Sequence, residues 1–116
     1  MNIYKADISY LEDLIPLFDG YRLFYKQKSD LDGVRHFLNE RLQKEDSVIF
    51  IAYINQQPVG FTQLYHLFSS VSMQQLYLLN DLFVLGNYRG KGIGEALINA
   101  NQELNISVIK AAANRP

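Results

Sequence analysis

The sequence predicts a single α+β domain, and three observations carry that prediction. Hydrophobic periodicity gives the element order β-α-α-β-β-β-α; residues Val48 to Leu85 are β-branched and aromatic segments joined by short turns, as in an antiparallel meander; and the last strand runs through a glycine-rich loop into an amphipathic helix. At 116 residues the chain is long enough for one core and too short for two. Eight tyrosines and seven phenylalanines, with 48% hydrophobic residues, supply an interior that disordered chains lack. A net charge of -1 argues against a general nucleic-acid binder or a membrane-surface protein, either of which needs a basic face. Any anion site must therefore be local.

The elements follow in order. Asn2 to Ala6 alternates as an opening strand. Ser9 and Glu12 have capping-box spacing, so a helix is expected to start there, with Leu11, Leu14, Ile15 and Phe18 on its inner face. Pro16 should kink or interrupt it, and Gly20 should loosen Tyr21 to Tyr25. Ser29 or Asp30 caps a second helix that buries Leu31, Val34, Phe37 or Leu38, and Leu42. Val48 to Ile54 and Val59 to Phe68 are strands, and Gly60 signals a bulge or a close backbone approach. Gln75 to Leu85, apolar on both faces, is the central strand. Gly92 to Leu104 is the last helix, with Ile93, Ala96, Leu97, Ala100 and Leu104 inward. Ser107 to Lys110 could begin one more strand, and the tail from Ala111 to Pro116 carries no pattern.

Chemistry concentrates in the strand–loop–helix junction from Leu79 to Ile98. Glycines at 90, 92 and 94 permit positive φ and remove Cβ atoms that would hold a ligand away. Converging loop amides, the first turn of the helix and the charges of Arg89 and Lys91 suit a phosphate or pyrophosphate. A Walker-type loop would need Gly-Lys-Ser or Gly-Lys-Thr, whereas here Gly90-Lys91 runs on into Gly92-Ile93, and a dinucleotide fingerprint would need glycine in place of Glu95. With no cysteine there is no disulfide framework, no thiolate metal site and no cysteine nucleophile. His36 and His66 have no metal-ligand company, so no metal is expected. No N-terminal leader pattern or membrane-length apolar run is visible, and a cytoplasmic location is the default.

Arg89-Gly90-Lys91-Gly92-Ile93-Gly94, preceded by Val84, resembles the acyl-CoA motif of the GNAT superfamily of coenzyme A-dependent N-acetyltransferases. The resemblance extends from about Ile3 to Leu104. Asn80-Asp81-Leu82-Phe83-Val84 followed by Tyr88-Arg89-Gly90 looks most like the diamine and polyamine acetyltransferase branch, although Asn80 stands where those enzymes usually carry an acidic residue. The resemblance implies an α/β sandwich whose mixed, mostly antiparallel sheet has helices on both faces. It implies acetyl-CoA as cofactor, with the backbone of Leu82, Phe83 and Val84 on the pantetheine arm and Arg89, Gly90, Lys91, Gly92, Ile93, Gly94 and Glu95 around the pyrophosphate. The expected reaction is acetyl transfer to a primary amine of a small molecule by direct attack.

An alkylamine is protonated at neutral pH, so this attack needs a base. Asp81, the only acidic residue between Leu76 and Leu85, is the candidate catalytic group. Tyr21, Arg22 and Tyr25 fall where the family's first two helices line the acceptor pocket, and with Asn80 they are the candidate substrate-binding residues. Family members continue past the motif helix into further strands and a helix, including a tyrosine that protonates the departing thiolate. The chain is therefore expected to be a domain incomplete at its C-terminus, with the apolar face of Leu76 to Val84 partly uncovered. An open edge there would invite a second copy as a homodimer. The second reading is a non-catalytic CoA-binding or interaction module with the same fold.

Overall fold

The computed structural model describes residues 1–104 and 107–110. Five strands form one sheet in the order β1-β2-β3-β4-β5: Asn2–Lys5, Ser47–Ile54, Gln57–Ser69, Gln74–Val84 and Val108–Lys110. The first four pair antiparallel, and β5 joins β4 in parallel. Helices α1 (Leu11–Phe24) and α2 (Leu31–Lys44) lie over one face, and α3 (Ile93–Asn99) over the other. This is the expected order with the additional strand at Ser107 to Lys110 present. The patternless tail from Ala111 to Pro116 lies outside the described residues.

Each face has its own core. Leu14, Ile15 and Leu17 of α1 and Val34 and Leu38 of α2 pack on Ile49, Ile51, Phe61 and Phe83. Ile93 and Leu97 of α3 pack on Val48, Phe50, Ala52, Val59, Leu64, Tyr77, Leu79 and Val84. The apolar face of β4 is better covered than expected, since Tyr77, Leu79, Ile93 and Leu97 are all buried. Helix α3 and the adjoining 3-10 turn, Ala100–Leu104, provide that cover, with Ala100 and Leu104 packed against the same cluster. The helical hydrogen-bond pattern thus tightens at Ala100 rather than running unchanged to Leu104.

Three local expectations are corrected. Asp7, not Ser9, caps the first turn: its carboxylate accepts the Ser9 amide at 2.9 Å, and a 3-10 turn, Ile8–Tyr10, precedes α1. Glu12 is drawn instead to Arg35 on α2, where a bidentate ion pair outcompetes the capping box. Pro16 does not interrupt α1, because buried Leu14, Ile15 and Leu17 hold the segment against the loss of one backbone donor. Gly20 does not loosen the end of α1, which runs on to Phe24. A Cβ there would stand 3.4 Å from the Phe83 ring, an ordinary packing distance.

The α1–α2 connection is organised by Asp19. Its buried carboxylate accepts the Ser29 hydroxyl at 2.7 Å and the Asp30 amide at 2.9 Å, while Asp30 caps α2 by accepting the Gly33 amide at 3.0 Å. The Asp30 amide, then the Ser29 hydroxyl, hold the Asp19 carboxyl below its ordinary value of 3.8. A depressed folded-state value contributes stability above pH 3.8 that is lost as pH falls through the folded value. Asp19→Asn is therefore expected to lower the urea midpoint at pH 7, with the gap from wild type narrowing below pH 3.8. A gap independent of pH would assign the loss to packing.

Candidate active site

The geometry of the site begins with a β-bulge. Across β3 and β4, Gln63 opposes Asp81 while Leu64 opposes Leu79, which leaves Asn80 as the extra residue. A strand alternates faces with period two, so one inserted residue exchanges the faces of everything beyond it. Tyr77 and Leu79 accordingly face α3, whereas Phe83 faces α1 and α2. Asp81 is thereby turned to the α1 side, where Tyr21 meets it.

Asp81 is buried, yet both carboxylate oxygens are engaged. Tyr21 donates its hydroxyl to Oδ1 at 2.9 Å, Tyr65 donates to Oδ2 at 3.0 Å, and the Asn80 amide donates to Oδ1 at 3.2 Å. The Thr62 hydroxyl donates to the Asp81 backbone carbonyl at 2.7 Å, fixing the bulge from below. Burial first, and then the Asp81 carboxylate, push the Tyr65 phenol well above its ordinary value, so it stays a donor. Beneath this group, the Tyr21 ring packs edge-on to Phe61 at 5.6 Å and to Phe83 at 5.9 Å.

A cleft of about 370 Å³ runs from Tyr21 and Phe24 past Leu82, Phe83 and Val84 to Tyr88, Arg89, Gly90, Gly92, Ile93, Gly94 and Glu95. Gly90 and Gly92 have φ of 78° and 82°, a region that side chains rarely occupy, and a Cβ on either would meet nothing within 4 Å. Glycine at these positions is thus required by the turn itself, and the space beside the loop is open. Strand β5 pairs with β4 only from Tyr77 to Leu79, so among the described residues Asn80 to Val84 has a neighbour strand on one side alone. The Leu85 amide donates to the Val59 carbonyl at 2.9 Å. By alternation, the backbone groups of Phe83 turn toward β3, and those of Leu82 and Val84 turn away from it.

The predicted residues fall into two groups. Asp81, Asn80 and Tyr21 meet at one point, and Tyr25 stacks edge-on against Tyr21 at 5.1 Å. Leu82, Val84, Arg89, Gly90, Gly92, Ile93, Gly94 and Glu95 line the cleft together, while Phe83 contributes its ring rather than outward backbone groups. Arg89 is not extended along the loop. Its Nε donates to the Val84 carbonyl at 2.8 Å and its guanidinium lies 5.0 Å from the Phe24 ring centre and 5.6 Å from that of Phe83. Lys91 carries the loop's exposed charge, over the Tyr88 ring at 5.6 Å. Arg22 turns to the Lys28 carbonyl at 2.8 Å and lines a neighbouring cleft. Tyr65, Thr62 and Phe24 went unread in the sequence. The alternation of Phe61, Gln63 and Tyr65 on β3 was available as a signal, but the bulge that brings Asp81 to that face was not.

Among the described residues no cluster of three metal-ligating side chains occurs, and no helix is long and apolar enough to cross a membrane. The family model of the acetyltransferase (GNAT) domain matches residues 45–115. The Bacillus subtilis protein named uncharacterized N-acetyltransferase YhfO is 50% identical over 103 residues, which span 89% of this chain and 69% of that one. A crystal structure of a probable acetyltransferase superposes with a TM-score of 0.87 at 31% identity, covering 99% of this chain and 82% of the other. An aminoglycoside N-acetyltransferase solved in complex with CoA superposes with a TM-score of 0.81, covering 97% and 77%, and at 20% identity its likeness is one of fold. The family match, the identity to a relative across most of its length and the shared five-stranded fold agree, and the chain belongs to the GNAT acetyltransferases.

Proposed function

We propose that this chain transfers an acetyl group from acetyl-CoA to the primary amine of a small molecule, with Asp81 as the group that takes the proton of the attacking amine. The observation that carries the reading is the Asp81 carboxylate, held through both oxygens by Tyr21, Tyr65 and Asn80 beside the cleft that the glycine loop closes. The cofactor would bring an acetyl group activated as a thioester. The open space at Gly90 and Gly92, and the side of Leu82 and Val84 that no strand pairs among the described residues, fit an elongated phosphate-bearing molecule. In this arrangement the amides from Arg89 to Gly94 and the Lys91 ammonium hold phosphates, and Leu82 and Val84 offer backbone groups along the arm.

Arg89 acts as a strut. It ties the end of β4 to the end of α1 through Val84 and Phe24, keeping the cleft walls apart. A preorganised backbone donor facing the thioester oxygen stabilises charge that develops during transfer, worth about 3–4 kcal/mol in comparable sites. The chain has no cysteine, so a cysteinyl acyl-enzyme is excluded and direct attack is the simpler course.

The test is calorimetry with acetyl-CoA, followed by thiol release with a panel of amines. Binding with amine-dependent thiol release supports the reading. Binding without release above the uncatalysed rate would leave a CoA-binding module and remove the enzyme. Gly92→Ala adds a Cβ at φ of 82° inside the cradle, and is expected to weaken acetyl-CoA binding about tenfold. Unchanged affinity would move the phosphate site off this loop.

A further inference from the structure

We propose that a cleft at the edge strand β1 binds a small quaternary ammonium compound with a hydroxyl-bearing tail, at a site separate from the acetyl-transfer residues. The cleft, about 390 Å³, is lined by Asn2, Tyr4, Tyr10, Tyr53 and Gln56, and it shares no lining residue with the glycine-loop cleft or its neighbour. Strand pairing assembles it. Asn2 lies opposite Tyr53 and Tyr4 opposite Ile51, so both stand on the face that α1 and α2 cover, and the 3-10 turn Ile8–Tyr10 brings Tyr10 beside them. The three rings form a triangle, with centres 6.0 Å apart for Tyr4 and Tyr10, 5.9 Å for Tyr4 and Tyr53, and 6.3 Å for Tyr10 and Tyr53. The rings already touch, so a guest seats over the triangle rather than between them. A cation centred there lies about 5 Å from each ring centre, within the ~6 Å reach of a cation–π contact.

Charge selects a cation, and the lining selects its kind. Among the described residues no lysine or arginine lines the cleft. Lys5, next to Tyr4, stands opposite Phe50 and so faces the α3 side of the sheet. The Tyr53 hydroxyl donates to Asp13 Oδ2 at 2.6 Å, which sets a carboxylate against the aromatic wall. Burial first, and then Asp13, push the Tyr53 phenol well above its ordinary value, so it stays a neutral donor. Asp7, Glu12 and Asp13 flank Tyr10 in sequence against one guanidinium, that of Arg35, which pairs with Glu12. This excess of carboxylate outweighs the roughly half positive charge at the start of α1. A lysine-type ammonium is a compact, strongly hydrated charge that needs several acceptors, and the rings supply none. A trimethylammonium head spreads its charge over methyl groups that pack on aromatic rings. The Asn2 and Gln56 amides, the remaining lining groups, meet a hydroxyl on the tail.

The experiment titrates the protein with choline and with dimethylbutanol, the neutral analogue whose tert-butyl group replaces the trimethylammonium, and follows the tyrosine ring resonances by NMR. Choline is expected to bind about tenfold more tightly, since size and apolar area are matched and only the charge differs. Tyr4→Leu, at a position 43% exposed on an edge strand, should weaken choline about fivefold and leave the alcohol within about twofold, while Tyr4→Phe retains choline binding. Asp13→Asn should weaken choline about threefold. Equal affinity of the wild type for choline and the alcohol overturns the proposal, and needs no variant to fold. Choline binding indifferent to Tyr4→Leu also overturns it, by placing the cation against other rings of the molecule. A trimethyllysine peptide that binds where choline does not would overturn the small-molecule occupant. Each readout is of binding alone, so none depends on acetyl transfer.

Discussion

Asp81→Asn is expected to lower turnover by roughly 10²–10⁴-fold while acetyl-CoA affinity changes little, since proton transfer by a positioned group contributes about that much. The asparagine keeps the size of the side chain and can still accept from a phenol, but it cannot take the proton of an alkylammonium. It also replaces one acceptor oxygen with an NH₂ group, which then faces the hydroxyl of Tyr21 or Tyr65 and the amide of Asn80. Steady-state kinetics and calorimetry on the same preparation separate the two effects. A parallel fall in turnover and affinity would make Asp81 a structural carboxylate. Tyr65→Phe is the companion variant: it removes one donor without touching the cleft lining, so a partial loss of kcat is expected with acetyl-CoA affinity retained.

Phe61→Ala is expected to cost about 3–5 kcal/mol of folding stability, the range for emptying a fully buried aromatic site. Phe61 is 0% exposed and stands opposite Phe83 in the β3–β4 ladder. Its ring contacts Phe18 at 5.5 Å, Tyr21 at 5.6 Å and Phe83 at 6.5 Å, so α1 and the central strand meet on it. Urea titration gives the cost, and Phe61→Leu, which leaves a smaller void, should recover most of it. Because Tyr21 rests on this ring, the alanine variant should also weaken the hold on Asp81, seen as a larger fall in kcat than in acetyl-CoA affinity at temperatures where it remains folded. A loss below about 1 kcal/mol would mean that Phe18 and Tyr21 refill the space.

The elements and the glycine-rich loop were readable from local pattern. Periodicity located both helices of the α1–α2 pair, the meander and the motif helix, because the spacing of apolar side chains is a local property of the chain. Asp30 as cap, Gly60 as a close approach and the glycines of the loop were legible for the same reason. A Cβ on Gly60 would lie 2.8 Å from the Phe83 carbonyl, and Gly90 and Gly92 do take positive φ. Asp81 stood out as an acid within an apolar strand.

Which way Asp81 faces, and what holds it, came only with the folded sheet. The bulge at Asn80 depends on how β3 and β4 align over their whole length, and no residue near Asn80 announces it. With the opposite parity Asp81 would point into the α3 core, away from Tyr21 and Tyr65, which are 60 and 16 positions away in sequence. Glu12 left its capping box for Arg35, and the Arg89 guanidinium lies over the Phe24 ring, because folding brings these partners, distant in sequence, within reach. Local spacing fixed where the chain bends and which faces are apolar. The register of two strands fixed which acid, phenols and rings share one space, and that sharing is a property of the tertiary structure.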